Sequence, residues 1–463
     1  MKKNPYYSNK SLLRYTSGMF LIFLIILSSG CIGGGSNGTN DNGVDGEGVT
    51  ITIITRHDTS IQEAFEEAFL ESSYAEDANI NKVRYMQPVS GLWPTAIENG
   101  GIDVAWGGGP TLFDQLVDLE YLEPVTNEDL PQMETIQDNI GGAPMKRFSD
   151  GDIVWVAAAI SSFGFTVNHN VLDSYGLEKP ETWDDLADPT YFKDPPVIGI
   201  GNAPDTTSNT RIYEIILQNY GWELGWVKLT EIAANSGIYY GSVDVLSAVE
   251  TGNIAIGTTI DFYGYSSMEE YTWTEYVIPT GQSLLNGDPI AVVKGTENRD
   301  AGLAFINFVL SPEGQAIWLI DTINRMPVKA EAFDTEFGMT RENLKNLYDL
   351  TISNQGIEFS DDLAISYEGT VVPYWAAVLD RPHNYLVDAW AALIDAWDSG
   401  KIDQTQWDYF VNKLGEPLID METAQDINES MLKDSAFSNE KTVEWANAKE
   451  QVYQDVKDEI ENL

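Results

Sequence analysis

From Val49 onward the apolar positions fall into two alternating patterns. Short β-branched and aromatic runs read as buried strands, and apolar residues spaced three and four apart read as amphipathic helices. Val49–Thr55 is the first strand-like run, and Ile61, Ala64, Phe65, Ala68 and Phe69 then share one helical face. Ser60 and Glu63 have capping-box spacing and predict the start of that helix. Residues 101–106 predict a second strand, and Pro110 opens a helix carrying Leu112, Phe113, Leu116 and Val117. The run from Ile153 is long enough for a buried strand, with a second extended piece at 163–168. A helical segment over 171–175 closes on Gly176, and Thr182 with Asp185 caps the next helix. Residues 196–201 predict a strand, and 252–263 another that ends in Asp261, Phe262 and Tyr263. Between them a helix carries Tyr213, Ile216, Leu217 and Tyr220 and stops at Gly221. Residues 288–294 return as a strand, and Ser311 with Pro312 starts a further helix. Strands alternating with helices predict an α/β fold.

Length and composition sharpen this picture. A chain of 463 residues exceeds one average domain and predicts two lobes plus an appendage. With 43% hydrophobic residues and 13 Trp it can bury substantial cores. Its 72 acids against 26 bases give a formal charge of -46, which repels nucleic acid and anionic lipid and excludes both as partners. One Cys excludes an internal disulfide. Beyond residue 335, helical periodicity at 384–397, 404–414 and 443–460 predicts a mostly helical C-terminal region. It is expected to pack across the first lobe or to form a small appendage, its Trp and Tyr serving as core.

The N-terminus reads as a signal peptide over 1–30. Lys2, Lys3, Lys10 and Arg14 precede an apolar run at 19–27, too short to span a bilayer comfortably. Residues 31–49, rich in Gly, Ser, Asn and Asp, predict a flexible tether. Ser28-Ser-Gly-Cys31 resembles a lipobox, although Ser28 stands where Leu is usual. That resemblance implies a lipid on Cys31 and a place on the extracellular face of the membrane.

Candidate chemistry gathers in the loops after strands, where open α/β sheets bind ligands. Arg56, His57, Asp58 and Thr59 follow the first strand. Gly108, Gly109, Pro110 and Thr111 form a glycine-rich approach to a helix start. Thr207, Ser208, Asn209 and Thr210 offer hydroxyls and an amide at another helix start, and Asp261 and Tyr263 end a later strand. The triple glycine lacks the Lys-Ser/Thr of a P-loop, and no GxSxG motif is present outside the Gly-rich tether, where Gly34–Gly38 fits it by composition alone. A secreted hydrolase would therefore rest on paired carboxylates alone, and a surface sensing module would differ only in its partner.

Several strings together resemble the solute-binding proteins of ABC importers. Gly164, Asn168, Gly176 and Leu177 followed by Pro180 and Thr182-Trp-Asp-Asp-Leu186 are similar to that family's crossover between lobes. Residues 103–124, the strand at 252–257 and Ser311-Pro-Glu-Gly-Gln315 match further family strings, so the likeness covers roughly 49–330. The resemblance implies a two-lobed periplasmic-binding-protein-like fold with a hinge. Lobe 1 would span 50–160 and 278–335, lobe 2 would span 161–277, and 336–463 would be a helical extension. It implies a monomeric receptor without a cofactor that hands a small polar solute, anionic or hydroxyl-rich, to a permease with its ATPase. The subgroup it most resembles includes ferric-ion, phosphonate and sugar-phosphate binders. Iron is the alternative ligand, through His57 and Tyr263, but only one Tyr stands where the iron binders carry a pair.

Overall fold

A computed structural model describes residues 48–88, 90–353 and 356–463. The signal peptide, Cys31 and nearly all of the tether lie outside the described residues.

Two sheets share one strand. In the first, Ile80–Met86, Val49–Thr55 and Val104–Trp106 run parallel, and Leu285–Val292 joins antiparallel beside Asp152–Asn168. In the second, Asp152–Asn168 pairs antiparallel with Ile256–Ile260, which continues in parallel to Ile198–Gly201 and Ser236–Tyr239. The sequence pattern suggested two extended pieces between 153 and 168; the structure has one strand of 17 residues. Its partner changes between Ser162, opposite Leu285, and Phe163, opposite Ile260. Residues 154–168 are buried throughout, which explains the unbroken apolar run: both faces are covered. Gly164 is required here, because a Cβ would lie 2.1 Å from the Val277 carbonyl oxygen.

The lobes are thus α/β units on a common strand, and the first sheet carries a core on each face. Phe65, Trp106, Phe305 and Trp318 pack edge to face beneath the first sheet. Phe165, Trp183, Ile216 and Trp226 belong to the core of the second. Local signals mostly hold. Gly176 takes φ 64, Thr182 and Asp185 form the capping box, and Ser311 accepts from the Gly314 N–H. Two boundaries differ. Asp58, not Ser60, caps the helix Thr59–Leu70: its carboxylate accepts from the Ile61 N–H, and Ser60 donates to the same oxygen. The strand at 256 ends at Ile260, so Asp261, Phe262 and Tyr263 form the first turn of the helix Asp261–Glu270.

The C-terminal region is helical, but most of it does not lie across the first lobe. Glu342–Ser353 does so, with Tyr348 against Phe333. The helices from Asp361 onward complete the second lobe's core instead. Tyr374 meets Trp226 edge to face at 4.7 Å, and Trp375 stacks on Tyr213 at 4.9 Å. The acidic surface gives no hint of this, because the contact is made by aromatic residues on both sides. Residues 356–360 carry the chain between the lobes, where the Ile357 N–H donates to Ser283 O. With the shared strand and residues 278–284, that makes three crossings among the described residues. No described helix is long and apolar enough to cross a membrane.

Candidate ligand-binding site

A cavity of about 330 Å³ opens where the two sheets meet. Its first side comes from the loops after Val49–Thr55 and Val104–Trp106, and its second from the starts of Thr207–Tyr220 and Asp261–Glu270. The shared strand contributes Ser161 and Phe163 between them.

Arg325 organises the first side. It precedes the two-residue strand Met326–Pro327, which pairs with Ile160 and Ala159, so its position is set by the strand that joins the lobes. Arg325 is 7% exposed; its guanidinium donates to Ser161 Oγ (3.0 Å) and His57 Nδ1 (3.1 Å) and forms an ion pair with Asp288 Oδ2 (3.0 Å). It lies 4.9 Å over the Phe262 ring, and its buried Nε has no hydrogen-bond partner among the described residues. Asp288 sits at a register shift before Pro289, which turns its carboxylate toward the cleft. Its Oδ1 accepts from the Gly108 and Gly109 N–H groups at 3.1 and 3.3 Å. The arginine thus fastens the glycine loop, the shared strand and the return strand together.

His57 lies under this arrangement. Arginine offers no acceptor, so Nδ1 must carry the lone pair and the proton rests on Nε2, 3.6 Å from Asp288 Oδ2. Burial first, and Arg325 against the pull of Asp288, lower its pKa from 6.5 to about 4, so the ring is neutral at pH 7. Gly107, at φ 72, closes over it, and a Cβ there would come within 2.5 Å of Nε2.

On the second side, the helix Thr207–Tyr220 begins at the cavity with no side chain capping its first turn. Thr206, Ser208 and Ser242 bond to one another at 2.7–3.1 Å, leaving the first N–H groups free for an acceptor. Pro110–Asp118 presents a second helix start across the cleft, behind Gly109. Arg211 donates to Thr111, so the lobes touch.

Arg56, His57, Gly108, Gly109, Thr111, Thr207, Ser208, Thr210 and Tyr263 all line the cavity. Asp58, Thr59, Pro110, Asn209 and Asp261 do not, and each is engaged in building the walls. Asp58 caps the helix that Thr59 begins, and Pro110 is buried at a helix's first position. Asn209 is fully buried, accepting from the Gly201 N–H and donating to Ser242 Oγ. Asp261 accepts from the Ser162 and Phe262 N–H groups, and burial pushes it up to about 7. Sequence reasoning missed Arg325, Asp288, Arg211, Glu214 and Glu368. One weak signal existed: Arg325 is a lone base in the uncharged stretch 322–328, where a charge must find a buried partner.

The fold recurs among known proteins. The family model for bacterial extracellular solute-binding proteins matches residues 54–316, more than half of the chain. The phosphoglycerate transport regulatory protein PgtC of Salmonella typhimurium is 27% identical over 194 residues, 41% of this chain and 47% of that protein. The chain thus spans about half the length of the curated relatives it matches. The periplasmic binding protein AfuA of Actinobacillus pleuropneumoniae, solved with fructose-6-phosphate, superposes with a TM-score of 0.51 at 20% identity, over 65% of this chain and 98% of that one. Iron-bound HitA of Pseudomonas aeruginosa gives 0.50 at 20% identity, over 61% and 87%. At these identities the structural likeness establishes the fold, whereas the family match covers most of both sheets and ends before Arg325 and Glu368. The chain belongs to the bacterial extracellular solute-binding proteins, the solute receptors of ABC transporters.

Proposed function

We propose that this chain captures a small organic anion, phosphorylated or carboxylated, between its lobes and delivers it to the permease of an ABC importer. The observation that carries the reading is the buried Arg325, which lines the cavity and whose Nε has no hydrogen-bond partner among the described residues. An anion there would gain charge-assisted hydrogen bonds, helped by the exposed Arg56 and two helix starts. AfuA and PgtC, named for a sugar phosphate and for phosphoglycerate transport, are in keeping with this chemistry. The lobes would be 50–160 with 278–335 and 161–277, closing on the solute about the shared strand. No step here requires an enzyme's nucleophile or a cofactor.

Ferric ion is the competing cargo. His57 and Tyr263 both line the cavity, but Arg325 occupies the lone pair of His57 Nδ1, and burial raises the Tyr263 pKa against the tyrosinate a metal needs. Calorimetry with inorganic phosphate, glycerol 3-phosphate, phosphoglycerate, spermidine and ferric citrate should find heat with the phosphates. Binding of ferric ion alone, with a tyrosinate-to-metal absorption band, would overturn the reading.

The receptor would act as a monomer held at the extracellular face by a lipid on Cys31, the acidic body kept off the surface by residues 31–49. With Cys31→Ser, the protein should leave the membrane fraction for the medium. Retention equal to wild type would instead indicate an uncleaved N-terminal helix.

A further inference from the structure

Anion capture accounts for one side of the cavity and leaves the other unexplained. Glu368, on the C-terminal helix Asp361–Trp375, lines the cavity together with Arg211 and Glu214 of Thr207–Tyr220. Arg211 is no second anion site, because carboxylates already balance its charge. Its Nη2 donates to Thr111, the guanidinium forms ion pairs with Glu214 Oε2 (3.3 Å) and Asp361 Oδ1 (3.0 Å), and it lies 4.7 Å over the Phe359 ring. Three carboxylates, Glu214, Asp361 and Glu368, therefore surround one guanidinium. Glu214 is 2% exposed, and its Oε1 is buried without a partner. Glu368 feels the fields of Arg211 and Asp361 but has no hydrogen bond or ion pair among the described residues. This group shares no hydrogen bond or ion pair with the Arg325 group.

We propose that Glu214 and Glu368 form an acceptor wall that receives hydrogen-bond donors of the solute, so that the cleft takes a two-ended molecule. The anionic head would sit at Arg325 and a hydroxyl- or ammonium-bearing tail at Glu368; this rests on the reading of Arg325 as the anion site. The physical reason is satisfaction. A buried acceptor without a donor costs about 1–3 kcal/mol, and a ligand that brings the donor recovers it. Size agrees, since about 330 Å³ far exceeds the space an inorganic oxyanion fills. Burial holds the Glu214 carboxyl up at about 8, so at pH 7 it is mostly protonated and accepts through its carbonyl oxygen, and burial raises that of Glu368 too. Glu368 gives the C-terminal helices a purpose in recognition: packed on the second lobe, they complete the wall that Glu214 begins.

The test is calorimetry on the full chain with inorganic phosphate, glycerol 3-phosphate and phosphoethanolamine, comparing wild type with Glu368→Met and Glu368→Gln. Wild type should bind at least one tailed phosphate tenfold or more tighter than inorganic phosphate. Glu368→Met should bring that ratio close to one by weakening the tailed phosphates, with inorganic phosphate bound no more weakly than by wild type. Glu368→Gln keeps an acceptor and should preserve part of the preference for a hydroxyl tail but none for an ammonium tail. Whichever tailed phosphate binds tighter identifies the donor. An unchanged ratio in Glu368→Met, or equal weakening of all three ligands, overturns the acceptor wall and leaves the anion site standing. If wild type binds none of the three, the anion site falls and the acceptor wall with it.

Discussion

Replacing Arg325 by methionine is expected to lower affinity for glycerol 3-phosphate by roughly a hundredfold or more, because losing one partner of a buried charge pair costs about 2–5 kcal/mol. The same change should destabilise the fold. Arg325 neutralises Asp288, 6% exposed, and the carboxylate would be left buried beside a neutral His57. Breaking such a pair on one side costs about 3–5 kcal/mol. The two effects can be separated. Pairing Arg325→Met with Asp288→Asn removes the stranded charge, while the Asn oxygen can still accept from the Gly108 and Gly109 N–H groups. The double variant should recover most of the stability in urea unfolding and none of the binding. A double variant that binds as tightly as wild type would show that the anion sits elsewhere.

His57 is expected to make the protein sensitive to acid. Its folded pKa, about 4, lies below its unfolded value of 6.5, so protons favour the unfolded chain. The stability held above pH 6.5 is therefore lost as pH falls toward 4. A shift of this size corresponds to about 3 kcal/mol at roughly 1.4 kcal/mol per unit. Glutamine at this position can accept from Arg325 and donate toward Asp288 without titrating. Raised acids act with the opposite sign. Asp261, at about 7, and Glu214, at about 8, keep their protons in the folded state, and their contribution is lost as pH rises. Both are present in either protein, so the difference between wild type and His57→Gln isolates the histidine. Urea midpoints from pH 4 to 8 should diverge below 6.5; parallel curves would refute the assignment.

Much of the fold was legible because local chemistry agreed with it. Gly176, Thr182 with Asp185, and Ser311 with Pro312 each act within a few residues of themselves, so neighbours suffice to read them. The loops around the cavity were legible for the same reason, since strand ends and helix starts announce where a ligand can approach. The partners of those loops were not. Arg325 is 37 residues from Asp288 and 268 from His57, and no spacing rule links them. Asp261 and Asn209 looked like binding groups because they are polar at the right places, yet buried backbone N–H groups claimed them first. The docking of the C-terminal helices depends on Trp226 meeting Tyr374, a contact between segments whose own patterns show only an apolar face.

Crossing between the lobes three times has a consequence of parity. An even number of passages returns a chain to the lobe where it began, whereas an odd number leaves it on the other. Here Val49 opens the first sheet, and the final helix, Ser435–Glu461, packs in the second lobe's core through Tyr453 and Val456. The two ends of the folded body therefore belong to different halves of the clamp. A donor fluorophore beside Val49 and an acceptor at Leu463 would ride on separate bodies, and their energy transfer would follow the clamp angle without a label near the cleft.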